Sequence, residues 1–171
     1  MFNMKVFKTV KYAIKGIIYA VKNERNMRIH TVIAFYVLLF SVFFTMTPVK
    51  YVMVVSLIGL VFMAEMFNTA IEGLIDLCSK EYNSTAKAAK DVSAGAVLVV
   101  CFSAAIGGII LFSEPIAYLR MWTFICSYPR FLILILISLI VSYFYVFWGP
   151  VEMKNKIRDT LRKMRKNKIG N

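Results

Sequence analysis

The sequence predicts an all-α integral membrane helical bundle, and three observations lead there. The 171-residue chain is 60% hydrophobic with a mean hydropathy of +0.69, well above the roughly half-apolar make-up of soluble domains. Its apolar residues gather in four runs, at 29–47, 49–75, 92–112 and 131–148, and each is close to the roughly 20 residues that cross about 30 Å of hydrocarbon. Its 21 Lys and Arg lie almost wholly outside those runs. The expected organisation is an N-terminal amphipathic surface helix in 1–28, three transmembrane helices in 29–112 and an external connection in 113–130. An additional C-terminal transmembrane helix in 131–149 and a basic tail in 150–171 follow.

In the first segment Phe7, Val10, Ile14, Ile17 and Val21 recur at three- and four-residue steps, with Lys5, Lys8, Lys15 and Lys22 on a neighbouring face. That pattern predicts a helix lying in the membrane interface with its lysines toward anionic head groups. It is not a cleavable signal, because the first 28 residues hold seven basic residues and no apolar block. Basic residues number seven in 1–28, three in 80–90 and eight in 154–168, leaving Lys50, Arg120 and Arg130 elsewhere. By the positive-inside rule the N-terminus, the middle loop and the C-terminus of this cell-membrane protein face the cytoplasm, which four spans satisfy and three do not. The tail repeats an amphipathic pattern through Ile157, Leu161 and Met164 and reads as electrostatic attachment. The net charge of +12 does not point to nucleic acid, since no recognised binding module accompanies it. Cys78, Cys101 and Cys126 have neither disulfide-like nor ligand-like spacing, and His30 has no metal-ligating neighbour within a helical turn.

The second span ends in "AEMFNTAIEGLID", which places Glu65, Glu72 and Asp76 on one helical face with Asn68 and Thr69 between them. Counted from Lys50, Glu65 lies about 22 Å along the helix and Asp76 about 39 Å. The first depth is within the inner leaflet and the second is past the hydrocarbon, so the acids run from lipid to water. An isolated acid at mid-depth costs about 2.5–3.5 kcal/mol on insertion scales, which makes these groups candidates for function. A plainer role is hydrogen bonding between helices. Small residues, Ala70 and Gly73 here and the "SAGA" run of 93–96, suggest close backbone approach.

Glu24, near Arg25 and Arg28 in "NERNMRIH", precedes the first span, and Glu81, Lys87, Lys90 and Asp91 follow the second. Carboxylates that hold a divalent cation, a lysine facing phosphate and a base for an attacking hydroxyl are what phosphoryl transfer requires. Neither a GxxxxGK[ST] loop nor the protein-kinase motif set is present. Two other classes compete. An ion-coupled transporter would use the acids as a relay, although they cluster at one side and no paired repeats or broken helices are evident. A non-enzymatic scaffold would use them as helix glue.

"EMFNTAIEGLIDL", followed by "EYNSTAKAAKDVSAGAVLV" and preceded by Glu24 and Arg28, resembles the small prokaryotic diacylglycerol kinase family, including its undecaprenol kinase-like branch, over about residues 5–112. The resemblance implies a homotrimer whose active sites lie between helices of neighbouring subunits at the cytoplasmic interface. It implies that Glu65 is the base for the lipid hydroxyl, that Glu24 and Glu72 bind Mg²⁺ on the ATP phosphates, and that Asn68, Asp76, Glu81, Lys90 and Asp91 position the nucleotide. The expected activity is transfer of the γ-phosphoryl group of ATP to undecaprenol, with diacylglycerol as the alternative acceptor. The chain departs from the family pattern in two places. Asn83 stands where a His is usual, and a fourth span follows. That span holds no ionisable residue in its interior, which predicts a lipid-facing anchor with an aromatic belt at its end.

Overall fold

The computed structural model describes residues 2–78 and 83–149, so the tail expected in 150–171 and Glu81 lie outside the described residues. The elements are α1 (Phe2–Asn23), α2 (Arg25–Phe40) with a 3₁₀ turn (Ser41–Phe43), α3 (Pro48–Cys78), α4 (Ser84–Leu111), α5 (Pro115–Ser127) and α6 (Pro129–Phe147). Among the described residues there is no strand. Four helices, α2 with its 3₁₀ turn, α3, α4 and α6, are long and apolar enough to cross a membrane. Proline opens α3, α5 and α6, where its missing N–H forfeits no helical hydrogen bond.

The long antiparallel pair α3 and α4 forms the centre. The 31 residues of α3 extend about 46 Å, well beyond about 30 Å of hydrocarbon, so one end of this helix must project from the membrane. The two helices pack closely at Gly107, where a Cβ would lie 2.9 Å from Leu57 Cδ1. At Gly73 and Gly95, where small residues suggest room for a neighbouring backbone or a ligand or for tight packing, a Cβ would meet no atom of the described residues within 4 Å.

Helices α1 and α2 are separated by Glu24 alone, in extended conformation at φ −97° and ψ 122°. Ala20 and Met27 are buried at this joint, whereas Phe7, Val10, Ile14 and Ile17 remain exposed along α1. An apolar face uncovered by the chain's own helices is what an interfacial helix presents to lipid.

At the opposite end of the bundle the structure adds detail to two expected segments. The 113–130 segment, expected as a connection, contains α5, a 13-residue helix. It is too short to span, and edge-to-face contacts of Phe44 with Phe112 and Tyr118, and of Phe124 with Phe43 and Phe131, fix it beneath the 3₁₀ turn and α6. Glu114 precedes α5 without capping it, because its carboxylate accepts instead from Thr45 N–H (2.9 Å) and Thr45 Oγ1 (3.0 Å) and pairs with Arg120. The fourth span, expected as a lipid-facing anchor, also makes contacts within the bundle. α6 packs on α2, and Tyr36 Oη lies 2.8 Å from Ser138 Oγ and 3.4 Å from Ser142 Oγ.

Candidate active site

Residues 65, 68 and 72 share one side of α3 because they are three and four residues apart. The helix turns that side toward the α1–α2 joint and the first turns of α4. Glu65 is 1% exposed. The Asn26 side chain, from the first turn of α2, hydrogen-bonds its carboxylate. The other oxygen, Oε2, is buried and finds no hydrogen-bond donor among the described residues. Glu65 borders a cavity of about 280 Å³ together with Asn26, His30, Asn68, Leu98 and Cys101. His30 and Cys101, 3.9 Å apart at Nε2 and Sγ, also line a second, mainly apolar cavity of about 480 Å³ between α2, α3 and α4. A buried carboxylate therefore adjoins an apolar groove.

Asn68 is buried, and both ends of its amide are engaged. Nδ2 donates to Glu72 Oε1 at 2.8 Å, and Oδ1 accepts from Ser93 Oγ at 2.6 Å. Donor chemistry settles the amide orientation, since a carboxylate only accepts and the hydroxyl can give its proton to Oδ1. The result is a hydrogen-bonded chain from α4 across α3, Ser93 to Asn68 to Glu72. Thr69, between these acids in the sequence, spends its hydroxyl on Glu65 O of its own helix (3.0 Å).

One turn further, Asp76 forms an ion pair with Lys90, which joins the end of α3 to the start of α4. Asp91 is exposed beside it. Helix α4 starts at Asn83, whose Oδ1 accepts from Thr85 N–H (2.9 Å) and Ala86 N–H (3.3 Å). The position where the family usually carries His is thus an N-cap here, a role that asparagine fills well.

Glu24 is half-buried at the α1–α2 joint and makes no capping bond to the α2 backbone, so its carboxylate is left for other partners. Glu24 and Glu72 both act electrostatically on Glu65. Carboxylates that act on one another disfavour their shared charge unless a cation intervenes. Among the described residues no three His, Cys, Asp or Glu side chains form a metal cage. Two carboxylates, Glu24 and Glu72, would suit an ion such as Mg²⁺, which takes one or two carboxylates and completes its shell with phosphate oxygens and water. Of the eight candidates, the structure sets Glu65 and Asn68 on one cavity, hydrogen-bonds Asn68 to Glu72 and pairs Asp76 with Lys90, while Glu24 lies at the α1–α2 joint. It leaves Asp91 at the surface, and Glu81 lies outside the described residues.

The sequence reading missed Asn26 and Ser93. Each is one polar residue at the membrane end of a helix, and only the fold reveals what it faces. Ser93 had a weak signal: it is three residues after Lys90 on the same side of α4.

A profile described as prokaryotic diacylglycerol kinase matches residues 11–112, a segment that contains all eight candidates and stops before α5 and α6. The undecaprenol kinase of Bacillus subtilis is 35% identical over 108 residues, covering 63% of this chain and 88% of that protein. A diacylglycerol kinase of Synechocystis is 34% identical over 112 residues, covering 65% of this chain and 64% of its own length. The diacylglycerol kinase of Escherichia coli is 29% identical over 107 residues, covering 63% and 88%.

Proposed function

This chain belongs to the prokaryotic diacylglycerol kinase family and is a lipid kinase, and on that premise we propose that it phosphorylates undecaprenol with the γ-phosphoryl group of ATP. The product is undecaprenyl phosphate, formed at the inner-leaflet interface with both termini in the cytoplasm. The observation that carries this reading is the buried, donor-free Oε2 of Glu65 beside an apolar groove. A lipid alcohol lying in such a groove presents its hydroxyl to that oxygen, and Glu65 takes the proton as the hydroxyl attacks phosphorus. Glu24 and Glu72 would hold Mg²⁺, which would neutralise phosphate charge as the γ-phosphoryl group passes from the β-phosphate oxygen to the lipid oxygen and ADP is released. Asn68 keeps Glu72 oriented through the bond at 2.8 Å. Lys90 faces the phosphates, Asp76 holds Lys90, and Glu81 and Asp91 complete nucleotide positioning. Three copies of the chain form the working unit, with sites between neighbouring subunits.

The test is transfer of label from γ-labelled ATP with Mg²⁺ in mixed micelles, with undecaprenol and diacylglycerol offered separately and in competition. Label in undecaprenol that disappears in Glu65→Gln supports the proposal. Label confined to diacylglycerol assigns the enzyme to phosphatidic acid synthesis. Label in neither lipid from a folded oligomer removes both acceptors.

A further inference from the structure

Arg28 is the most buried cation of the described chain, 4% exposed, and among the described residues no carboxylate forms an ion pair with it. Two helix ends neutralise it instead. Its Nε donates to Val146 O of α6 and one terminal nitrogen donates to Lys22 O of α1, both at 3.1 Å. Each carbonyl is in the last turn of its helix, where no intrahelical donor reaches it and the helix dipole is negative. One guanidinium on α2 thus closes the ends of α1 and α6 together.

Neighbouring contacts support this junction. The guanidinium carbon of Arg25 lies 4.7 Å from the centre of the Phe147 ring, a cation–π distance. Gly149 passes directly over Arg28, and a Cβ there would stand 2.6 Å from the guanidinium carbon and from one of its nitrogens. A side chain at this position would have to push the guanidinium away from its two carbonyls. Glu24 lies at the same junction: it is the single non-helical residue between α1 and α2, and its carbonyl accepts a backbone bond of α2 from Arg28 N–H at 3.3 Å.

We infer that α6, which lies beyond the family-matched segment, is a working part of the cation site, with Arg28 as a positioning residue that fixes the Glu24 carboxylate against Glu72 and Glu65. This rests on the assignment of Glu24 to the cation. With the junction intact, Glu24 is held at a fixed bend. With the end of α6 displaced, the α1–α2 angle is free to change, and the carboxylate moves with it.

The test measures Mn²⁺ binding by electron paramagnetic resonance to the full chain in micelles with β,γ-methylene-ATP, so turnover plays no part. Gly149→Val drives a side chain into the guanidinium from a position outside the catalytic groups. Arg28→Lys keeps the charge but loses the fork that joins two carbonyls. Both are expected to weaken Mn²⁺ binding about tenfold, the lower end for groups that orient metal ligands. Leu136→Ala, on an exposed part of α6, is expected to leave binding unchanged. Gly149→Ala adds one carbon and keeps the test decisive where the valine variant does not fold. Mn²⁺ affinity within twofold of the parent in Gly149→Ala and Arg28→Lys, alongside a clear loss in Glu24→Gln, overturns the role of α6 and leaves the cation assignment standing. Unchanged affinity in Glu24→Gln overturns both.

Discussion

Replacing Ser93 by alanine tests whether the hydrogen-bonded chain across α3 and α4 serves the chemistry. Ser93 Oγ donates to Asn68 Oδ1 at 2.6 Å, and Asn68 is 8% exposed, so water cannot easily replace the lost donor. A buried acceptor left without a partner costs about 1–3 kcal/mol. At 1.4 kcal/mol per factor of ten, that corresponds to about 5- to 140-fold. The cost can be avoided if the Asn68 amide turns away, but turning withdraws Nδ2 from Glu72 Oε1 and releases that carboxylate. By either route the loss falls on the cation site. The assay is the initial rate of label transfer to lipid against Mg²⁺ concentration at saturating ATP. In Ser93→Ala the half-saturating Mg²⁺ concentration is expected to rise about tenfold, as for other groups that orient metal ligands, while Ser93→Thr, which keeps the hydroxyl, stays near the parent. A folded Ser93→Ala protein with parental Mg²⁺ dependence and rate would refute the reasoning, because Asn68 would then be orienting nothing that the reaction uses.

Four further outcomes follow from the structure. Glu65→Gln is expected to lower kcat by at least about 100-fold, the lower end of general-base contributions, with nucleotide binding retained in a fluorescence titration. Glu65→Leu is expected to be equally inactive yet to melt at a higher temperature than the parent, since it removes a buried oxygen that has no donor. Tyr36→Phe deletes the hydrogen bonds to Ser138 and Ser142, and thermal unfolding in micelles is expected to record a loss of about 0.6 kcal/mol with kcat unchanged, as for average hydrogen bonds between membrane helices. At the other end of the bundle, the Thr45 N–H, then the Thr45 hydroxyl and Arg120, hold the Glu114 carboxyl below its ordinary range. A group lowered by folding stabilises fully above its unfolded value and loses that contribution as pH falls through its folded one. Melting of the parent is therefore expected to drop more steeply than that of Glu114→Gln on acidification below about pH 4, and parallel curves would remove Glu114 from the acid response.

The spans and the acid ladder were legible because each depends on one helix at a time. Apolar run length marks a membrane crossing, and a seven-residue step puts Glu65 and Glu72 on one face whatever surrounds them. What could not be read depends on which helices meet. The α6 sequence is apolar throughout, and its attachment to α2 rests on single hydroxyls at Ser138 and Ser142 opposite Tyr36. Its junction with Arg28 uses a backbone carbonyl, which carries no side-chain signal. Close approach of α3 and α4 at Gly107 depends on Leu57, 50 positions earlier in the chain. The 13 residues of α5 resemble a connection because they are too few to reveal a span and are held by aromatic contacts with distant residues.

The free oxygen of Glu65 distinguishes helix glue from chemistry more sharply than burial does. An acid that joins helices is useful when its oxygens have donors, because an unsatisfied oxygen costs about what one good hydrogen bond contributes. Here Asn26 serves the carboxylate while Oε2 faces no donor, although Asn68 is close enough to border the same cavity and directs its own N–H to Glu72. Nearby donors are present and are committed elsewhere. An arriving hydroxyl would supply the missing bond, worth about 1.5–3 kcal/mol to a charged acceptor, comparable to the insertion cost of about 2.5–3.5 kcal/mol for the acid itself. A hydroxyl placed beside Glu65 would thus satisfy an oxygen that its own helices leave without a donor, which is what the proposed role of Glu65 as base requires.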